Sequence, residues 1–120
     1  MKRILVIEDT DDNLEIVQLV LEREGYVVLQ ATDGLQGVAM AINERPDLIL
    51  MDIRLPEIDG YEATRRIKAD ARTASVPIIA VTSYAMSGDR KKCMDAGCDD
   101  YITKPYLPPD LVAMIRKHIG

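Results

Sequence analysis

The chain has 120 residues, enough for one compact domain whose hydrophobic core needs no metal or disulfide support. Its formal net charge of −5 argues against direct binding to nucleic acid or to an anionic membrane surface. The spacing of Cys93 and Cys98 fits neither a zinc site nor a disulfide framework, and no apolar run reaches membrane-spanning length. We therefore expect residues 1–120 to be one domain of a cytoplasmic protein with reduced thiols.

The chain begins with an apolar run followed by a segment of helical period. Residues 4–7 predict a strand, and the next segment predicts a helix that ends near Gly25 and has one apolar face, formed by Leu14, Val17 and Leu21. Residues 26–29 predict a second strand. A second helix is expected after Asp33, with an apolar stripe formed by Leu35, Val38, Ala39 and Ile42.

The same alternation continues to the end of the chain. Residues 48–51 predict a third strand, which ends in Asp52. The remaining predicted elements are a short helix around 63–67, a strand at 77–81, a helix capped by Ser87, a strand around 101–103 and a helix that begins at 108–110. Strands alternating with helices indicate an α/β fold with a parallel sheet that is covered by helices on both faces.

Polar residues follow four of the five predicted strands. In open α/β sheets ligands bind beyond the carboxyl ends of the strands, so we expect these residues to converge: Glu8, Asp9, Asp52, Thr82 and Lys104. Three neighbouring carboxylates repel one another, and a hard divalent cation resolves that repulsion, with Mg²⁺ favoured when protein ligands are few. A lysine and a hydroxyl beside a central aspartate suit phosphoryl transfer, with Asp52 as the nucleophile.

Four motifs in this order and spacing resemble the receiver domain of two-component response regulators, which has the CheY-like fold. They lie at residues 7–9, 50–60, 81–83 and 101–105. The resemblance implies a five-stranded parallel sheet in the order 2-1-3-4-5, flanked by five helices. Within the family, residues 84–89 and 97–98 are most similar to stand-alone regulators of the DivK type and to receivers of hybrid kinases.

The resemblance also implies roles for the residues around Asp52. Asp52 would accept a phosphoryl group from a phosphohistidine on a sensor histidine kinase or a histidine phosphotransfer protein. Asp9 and Asp52 would bind Mg²⁺ directly, together with the backbone carbonyl of Arg54, and Glu8 would reach the ion through water. Lys104 would contact the phosphoryl oxygens.

Switching is expected to involve the fourth and fifth strands. By resemblance, the bond between Lys104 and Pro105 is cis, Thr82 moves toward the phosphoryl group, and Tyr101 swings inward. This movement would reshape the surface that a downstream protein binds, in a chain that is a monomer or a weak dimer. Tyr101 can also be interpreted as a fixed, half-buried aromatic residue.

Two bulky residues stand two positions beyond the predicted phosphoacceptor and hydroxyl. Arg54 follows Asp52 and Tyr84 follows Thr82, beside the expected path of a water molecule that would hydrolyse an aspartyl phosphate. We therefore expect slow hydrolysis and a long-lived phosphorylated state.

Three other functions remain open at this point. A phosphatase acting through an aspartyl intermediate needs a second acidic residue just after the nucleophile, where this chain has Ile53 and Arg54. A receiver that binds partners without phosphorylation is disfavoured by the complete set of polar residues. A flavin-binding protein is disfavoured because no aromatic residue is placed to stack on the ring. The leading interpretation is a phosphoacceptor switch rather than an enzyme with an external substrate.

Overall fold

The computed structural model describes residues 1–83 and 89–120, and the statements below concern these residues. Five strands and five helices alternate along them: β1 (Arg3–Ile7), α1 (Asp11–Arg23), β2 (Val27–Ala31), α2 (Gly34–Glu44), β3 (Leu48–Asp52), α3 (Gly60–Ala69), β4 (Ile78–Thr82), α4 (Asp89–Ala96), β5 (Asp100–Thr103) and α5 (Pro108–Ile119). The strands form one parallel sheet in the order β2-β1-β3-β4-β5. The α/β fold class and strand order expected from the resemblance are confirmed.

The sheet separates two hydrophobic layers, because alternate residues of a strand point to opposite faces. One layer lies under α1 and α5 and contains the strand residues Ile4, Val6, Leu48, Leu50, Ile79 and Val81. The other layer faces α2, α3 and α4 and contains the strand residues Leu5, Ile7, Ile49, Met51, Ile78 and Ala80. Burial on both faces explains why the central strands read as continuous apolar runs.

The predicted apolar face of α1 is buried, but that of α2 is only partly right, because Val38 packs against the core while Ala39 is exposed. Leu35 is exposed, and α2 also packs through Gly34, Gly37 and Ala41. A Cβ on Gly37 would lie 2.6 Å from Ile7 Cδ1, and a Cβ on Gly34 would lie 2.2 Å from the carbonyl oxygen of Ile58. The helix thus approaches the sheet through small residues, whereas the prediction followed the large apolar ones.

Strand register determines which side chains meet at the carboxyl edge of the sheet. Ile7 pairs with Met51, so the next residues, Glu8 just after β1 and Asp52 at the end of β3, lie side by side at the carboxyl edge. The connections after β1 and β3 run in opposite directions, because β1 lies between β2 and β3. This divergence opens a crevice at the carboxyl edge, where ligands bind in such sheets.

Two connections at this edge are held by side-chain caps. Asp33 accepts a hydrogen bond from the Gln36 N–H at 2.7 Å, and Asp59 accepts one from the Glu62 N–H at 2.9 Å. Such caps satisfy backbone donors that the first helical turn leaves unpaired. Ser87, predicted as a cap of the fourth helix, lies outside the described residues.

Neither buried cysteine is set up for redox chemistry. Cys93 and Cys98 are buried and form no disulfide, and burial raises the pKa of the Cys98 thiol to about 12. A thiol with so high a pKa holds almost no reactive thiolate at neutral pH. None of the helices in the described part of the chain is long and apolar enough to span a membrane.

Candidate functional site

Three carboxylates meet at the crevice between the ends of β1 and β3. Glu8, Asp9 and Asp52 each place one oxygen within 4.8 Å of the other two. Glu8 and Asp52 are buried, while Asp9 is exposed at the start of the connection to α1. A compact set of oxygen donors with one open side fits a hard divalent cation that keeps several waters, as Mg²⁺ does.

Lys104 lies between the two buried carboxylates. Its Nζ is 3.3 Å from Glu8 Oε2 and 3.6 Å from Asp52 Oδ2. β5 delivers this side chain, and the Lys104 N–H donates to the carbonyl oxygen of Thr82 at 2.7 Å, which ties the two strand ends together. The bond between Lys104 and Pro105 is cis. One ammonium group therefore faces two carboxylates and cannot neutralise both.

The excess negative charge changes the acidity of the pair. Burial, and then the hydrogen bond and negative charge of Glu8, raise the pKa of Asp52 to about 7, although Lys104 and the Arg54 N–H oppose the rise. For Glu8 burial also favours the neutral form, but its hydrogen bond with Asp52 and the charge of Lys104 outweigh burial and lower the pKa. The two shifts have opposite directions, so this environment favours the protonated form of Asp52 and the ionised form of Glu8.

The two predicted switch residues lie on neighbouring strands. Thr82 is buried at the end of β4, next to the Asp52 strand. Tyr101 is partly buried on β5, opposite Ala80, and packs against the layer that faces α2, α3 and α4. Its position fits either a movable or a fixed side chain.

The two residues expected to tune hydrolysis differ in what the structure describes. Arg54 has an exposed side chain, and its backbone N–H donates to Asp52 Oδ1 at 3.2 Å. Tyr84 lies outside the described residues. Arg54 thus contacts Asp52 through its backbone in this structure.

Two further residues border the site and were missed in the sequence. The amide Nδ2 of Asn13, in the first turn of α1, donates to Glu8 Oε1 at 3.3 Å. Tyr106 lines a cleft of about 530 Å³ that runs from Asp52 between α1 and the start of α5. Burial, and then the charges of Glu8 and Asp52, raise the pKa of Tyr106. A helix-start position four residues after Asp9 was the available signal for Asn13, and the position after Pro105 was the signal for Tyr106.

The fold and the site together define a doubly wound α/β domain with an acidic pocket and one lysine at the switch point of its sheet. Residues 4–116 match the family model of the response regulator receiver domain. The polar-differentiation response regulator DivK of Brucella anthropi is 38% identical over 119 residues, covering 99% of this chain and 97% of that protein. The chain belongs to the response regulator receiver family of two-component signalling.

Solved structures agree with this assignment. The receiver domain of the sensor histidine kinase PA1611 from Pseudomonas aeruginosa PAO1 superposes with a TM-score of 0.93 at 43% identity, covering 99% of this chain and 98% of that one. That crystal structure has a magnesium ion coordinated in its active-site cleft. The chemotaxis protein CheY4 of Vibrio cholerae, at 24% identity and a TM-score of 0.92 over 98% of both chains, shares the fold.

Members of this family share a general mode of action. Receiver domains are phosphoacceptor switches, generally not classed as enzymes, that interact with histidine kinases or phosphotransfer proteins and with downstream targets. Magnesium is typical of the family, and the oxygen donors of Glu8, Asp9 and Asp52 fit it.

Proposed function

We propose that residues 1–120 form one receiver domain that takes a phosphoryl group onto Asp52 from a phosphohistidine and signals through a changed protein-binding surface or relays the group onward. The carrying observation is the placement of Lys104 against both Glu8 and Asp52, at 3.3 and 3.6 Å, beside an exposed third carboxylate. This arrangement gathers a nucleophile, a fixed cation and a metal-ligand set at one point of the sheet.

The transfer exchanges one bond to phosphorus for another. A carboxylate oxygen of Asp52 forms the new P–O bond while the P–N bond to the donor imidazole breaks, and the imidazole nitrogen keeps that electron pair. Asp52 must be ionised to attack, and its pKa of about 7 means that it must release the proton which it holds beside Glu8. Lys104 then stabilises the negative charge that spreads over the phosphoryl oxygens.

Magnesium would be held by Asp9, Asp52 and the backbone carbonyl of Arg54, with Glu8 acting through water. When bound, it supplies positive charge that lowers the repulsion between the carboxylates and the incoming phosphoryl group. The Arg54 N–H holds Asp52 Oδ1 at 3.2 Å and orients the carboxylate toward the crevice.

Phosphorylation changes the binding surface through residues of β4 and β5. Thr82 is buried beside the Asp52 strand, and its hydroxyl can follow the phosphoryl group. Tyr101 then moves inward and changes the surface formed by α4, β5 and α5, to which a downstream protein binds. We propose that the protein acts in the cytoplasm as a monomer or weak dimer, without binding nucleic acid.

Intact mass spectrometry after incubation with acetyl phosphate and Mg²⁺ tests this function. We expect one added phosphoryl group per chain, dependent on Mg²⁺ and absent from Asp52→Asn. The matched control is Asp33→Asn, which must phosphorylate normally because asparagine caps α2 as well as aspartate does. A protein that neither binds Mg²⁺ nor gains mass from acetyl phosphate or a phosphorylated histidine kinase contradicts the proposal.

Steady turnover of a phosphate ester in the same assay would instead indicate a phosphatase. We expect none, because the residues after Asp52 are Ile53 and Arg54 and offer no general acid. The bulk of Arg54 and Tyr84 also leads us to propose slow hydrolysis of the aspartyl phosphate. The phosphorylated half-life should shorten in Arg54→Ala and Tyr84→Ala, and unchanged half-lives in both variants contradict that part of the proposal.

A further inference from the structure

Glu8 is held on both oxygens by different parts of the chain. Oε2 faces Lys104 Nζ at 3.3 Å, while Oε1 accepts from Asn13 Nδ2 and from the Thr10 N–H, each at 3.3 Å. Glu8 is 6% exposed, so these contacts replace much of the hydration that an ionised carboxylate requires. The orientation of the Glu8 carboxylate therefore depends on the two sides together.

The Lys104 and Asn13 contacts of Glu8 respond differently once Asp52 is phosphorylated. Lys104 also approaches Asp52, at 3.6 Å, and a phosphoryl group there draws the ammonium away from Glu8. The Thr10 N–H belongs to the backbone, and Asp52, which also hydrogen-bonds Glu8, is itself the residue that carries the phosphoryl group. Asn13 is therefore the side-chain contact of Glu8 that phosphorylation leaves in place. The Asn13 contact comes from α1 and does not depend on where Lys104 points.

Helix formation does not account for an asparagine at position 13. Asparagine is a poor helix former in the body of a helix and is favoured at the N-cap, but the N-cap of α1 is Thr10. Asn13 is the third residue of α1, partly buried, with its amide directed at Glu8. The only other asparagine of the chain, Asn43, is exposed on α2.

We infer that Asn13 is a positioning residue that fixes the Glu8 carboxylate for the magnesium site, an inference that rests on the proposed function. The pair is matched in length: Glu8 Oε1 meets the amide at 3.3 Å, and an aspartate at position 8, one methylene shorter, falls short of that contact. Asn13 acts through Glu8 and touches neither the phosphoacceptor nor the phosphoryl group.

The test is a double-mutant cycle on Mg²⁺ affinity, measured by calorimetric titration of the unphosphorylated protein. Asn13→Ala should weaken Mg²⁺ binding about tenfold, in the range found when the hydrogen-bonding partner of a metal-site residue is removed. In the Glu8→Asp background the same replacement should change affinity less than about twofold, because the contact is already lost. Asn43→Ala is the matched control and should bind Mg²⁺ as the unaltered protein does.

A second measurement separates positioning from a structural role. Without Mg²⁺, the melting temperature of Asn13→Ala should stay within about 3 °C of the unaltered protein. With acetyl phosphate, the Mg²⁺ concentration for half-maximal phosphorylation should rise, while the rate at saturating Mg²⁺ recovers to within about twofold.

Each outcome decides the inference. Unchanged Mg²⁺ affinity in Asn13→Ala overturns it, and so does an equal loss in the Glu8 and Glu8→Asp backgrounds, since Asn13 would then act by another route. No Mg²⁺ binding by the unaltered protein would overturn the proposed function itself, which keeps the two failures distinct.

Discussion

Two lysines occupy opposite edges of the sheet, and their surroundings differ in how well charge is balanced. At the amino edge, Lys68 Nζ donates to the carbonyl oxygens of Ala74 and Val76 and to Asp99 Oδ2, at 3.3, 2.7 and 2.8 Å. An ammonium group has three N–H donors, so this set of partners is complete. Asp99 Oδ2 also accepts the Ile78 N–H at 2.8 Å.

At the carboxyl edge the positive and negative charges are not balanced. Lys104 faces both Glu8 and Asp52, whose side chains are 7% and 9% exposed. The mismatch keeps a proton on Asp52 and leaves room for an added cation. Complete partners at one edge stabilise the fold, whereas incomplete partners at the other fit the ion and the phosphoryl group that we propose for this site.

Replacing Lys104 should produce the largest functional effect. Lys104→Met keeps the aliphatic stem but removes the cation, so we expect phosphorylation by acetyl phosphate at saturating Mg²⁺ to slow about 100-fold, equivalent to about 2.7 kcal/mol. Intact mass measured over time gives the rate, and a rate equal to that of the unaltered protein would refute this role.

The matching replacement at the amino edge should affect stability and spare phosphorylation. Lys68→Met leaves two carbonyl oxygens and Asp99 without their shared donor, and we expect urea denaturation to show a loss of about 2 kcal/mol, below the usual cost for a fully buried pair because Asp99 is 40% exposed. Lys92→Met, at an exposed position of α4, is the control and should change stability by less than about 0.5 kcal/mol. Slower phosphorylation of folded Lys68→Met would contradict the assignment of a structural role to the amino edge and a functional role to the carboxyl edge.

Removing the excess charge should stabilise the protein. The folded chain holds a proton on Asp52 up to pH about 7, while the unfolded chain releases it near the ordinary value of 3.8. Stability therefore falls as the pH rises from about 4 to 7 and then levels off. Asp52→Asn removes this loss, and we expect it to be about 1–2 kcal/mol more stable than the unaltered protein at pH 7.5 in EDTA.

That gain should shrink as the pH falls toward 5, where Glu8, with its lowered pKa, remains ionised in the folded chain. Urea denaturation at several pH values between 5 and 8 gives the comparison. Equal stability of the two proteins at pH 7.5 would show that the carboxylates are better compensated than the geometry indicates.

The sequence reveals the functional edge more readily than the structural one. Four polar residues each follow a predicted strand, so a strand prediction alone brings them to the carboxyl edge of the sheet: Glu8, Asp52, Thr82 and Lys104. Lys68 and Asp99 are 31 residues apart, on a helix and before a strand, and nothing local marks them as partners. The sheet order itself came from family resemblance and not from periodicity.

Close packing was the other feature that periodicity could not show. The α2 stripe was predicted from Leu35, Val38, Ala39 and Ile42. The helix also packs through Gly37, which is buried at a place where Ile7 leaves no space for a Cβ. Asn13 was missed although its position at a helix start was a signal, because its hydrogen bond to Glu8 depends on a distance across that helix start which residue type does not give.

The smallest predicted effect concerns backbone strain at the two edges. Glu57, in the connection after Asp52, has φ 72°, and Arg45, just before β3 at the amino edge, has φ 46°. A left-handed conformation costs a non-glycine residue about 1–2 kcal/mol, and glycine offsets part of that gain through its greater freedom in the unfolded chain. Glu57→Gly and Arg45→Gly should therefore each raise the unfolding free energy by about 0.5 kcal/mol in urea denaturation. Phosphorylation should be unaffected in both variants, because neither side chain contacts the carboxylates. If Glu57→Gly alone slowed phosphorylation, backbone strain would join unbalanced charge among the features that distinguish the carboxyl edge.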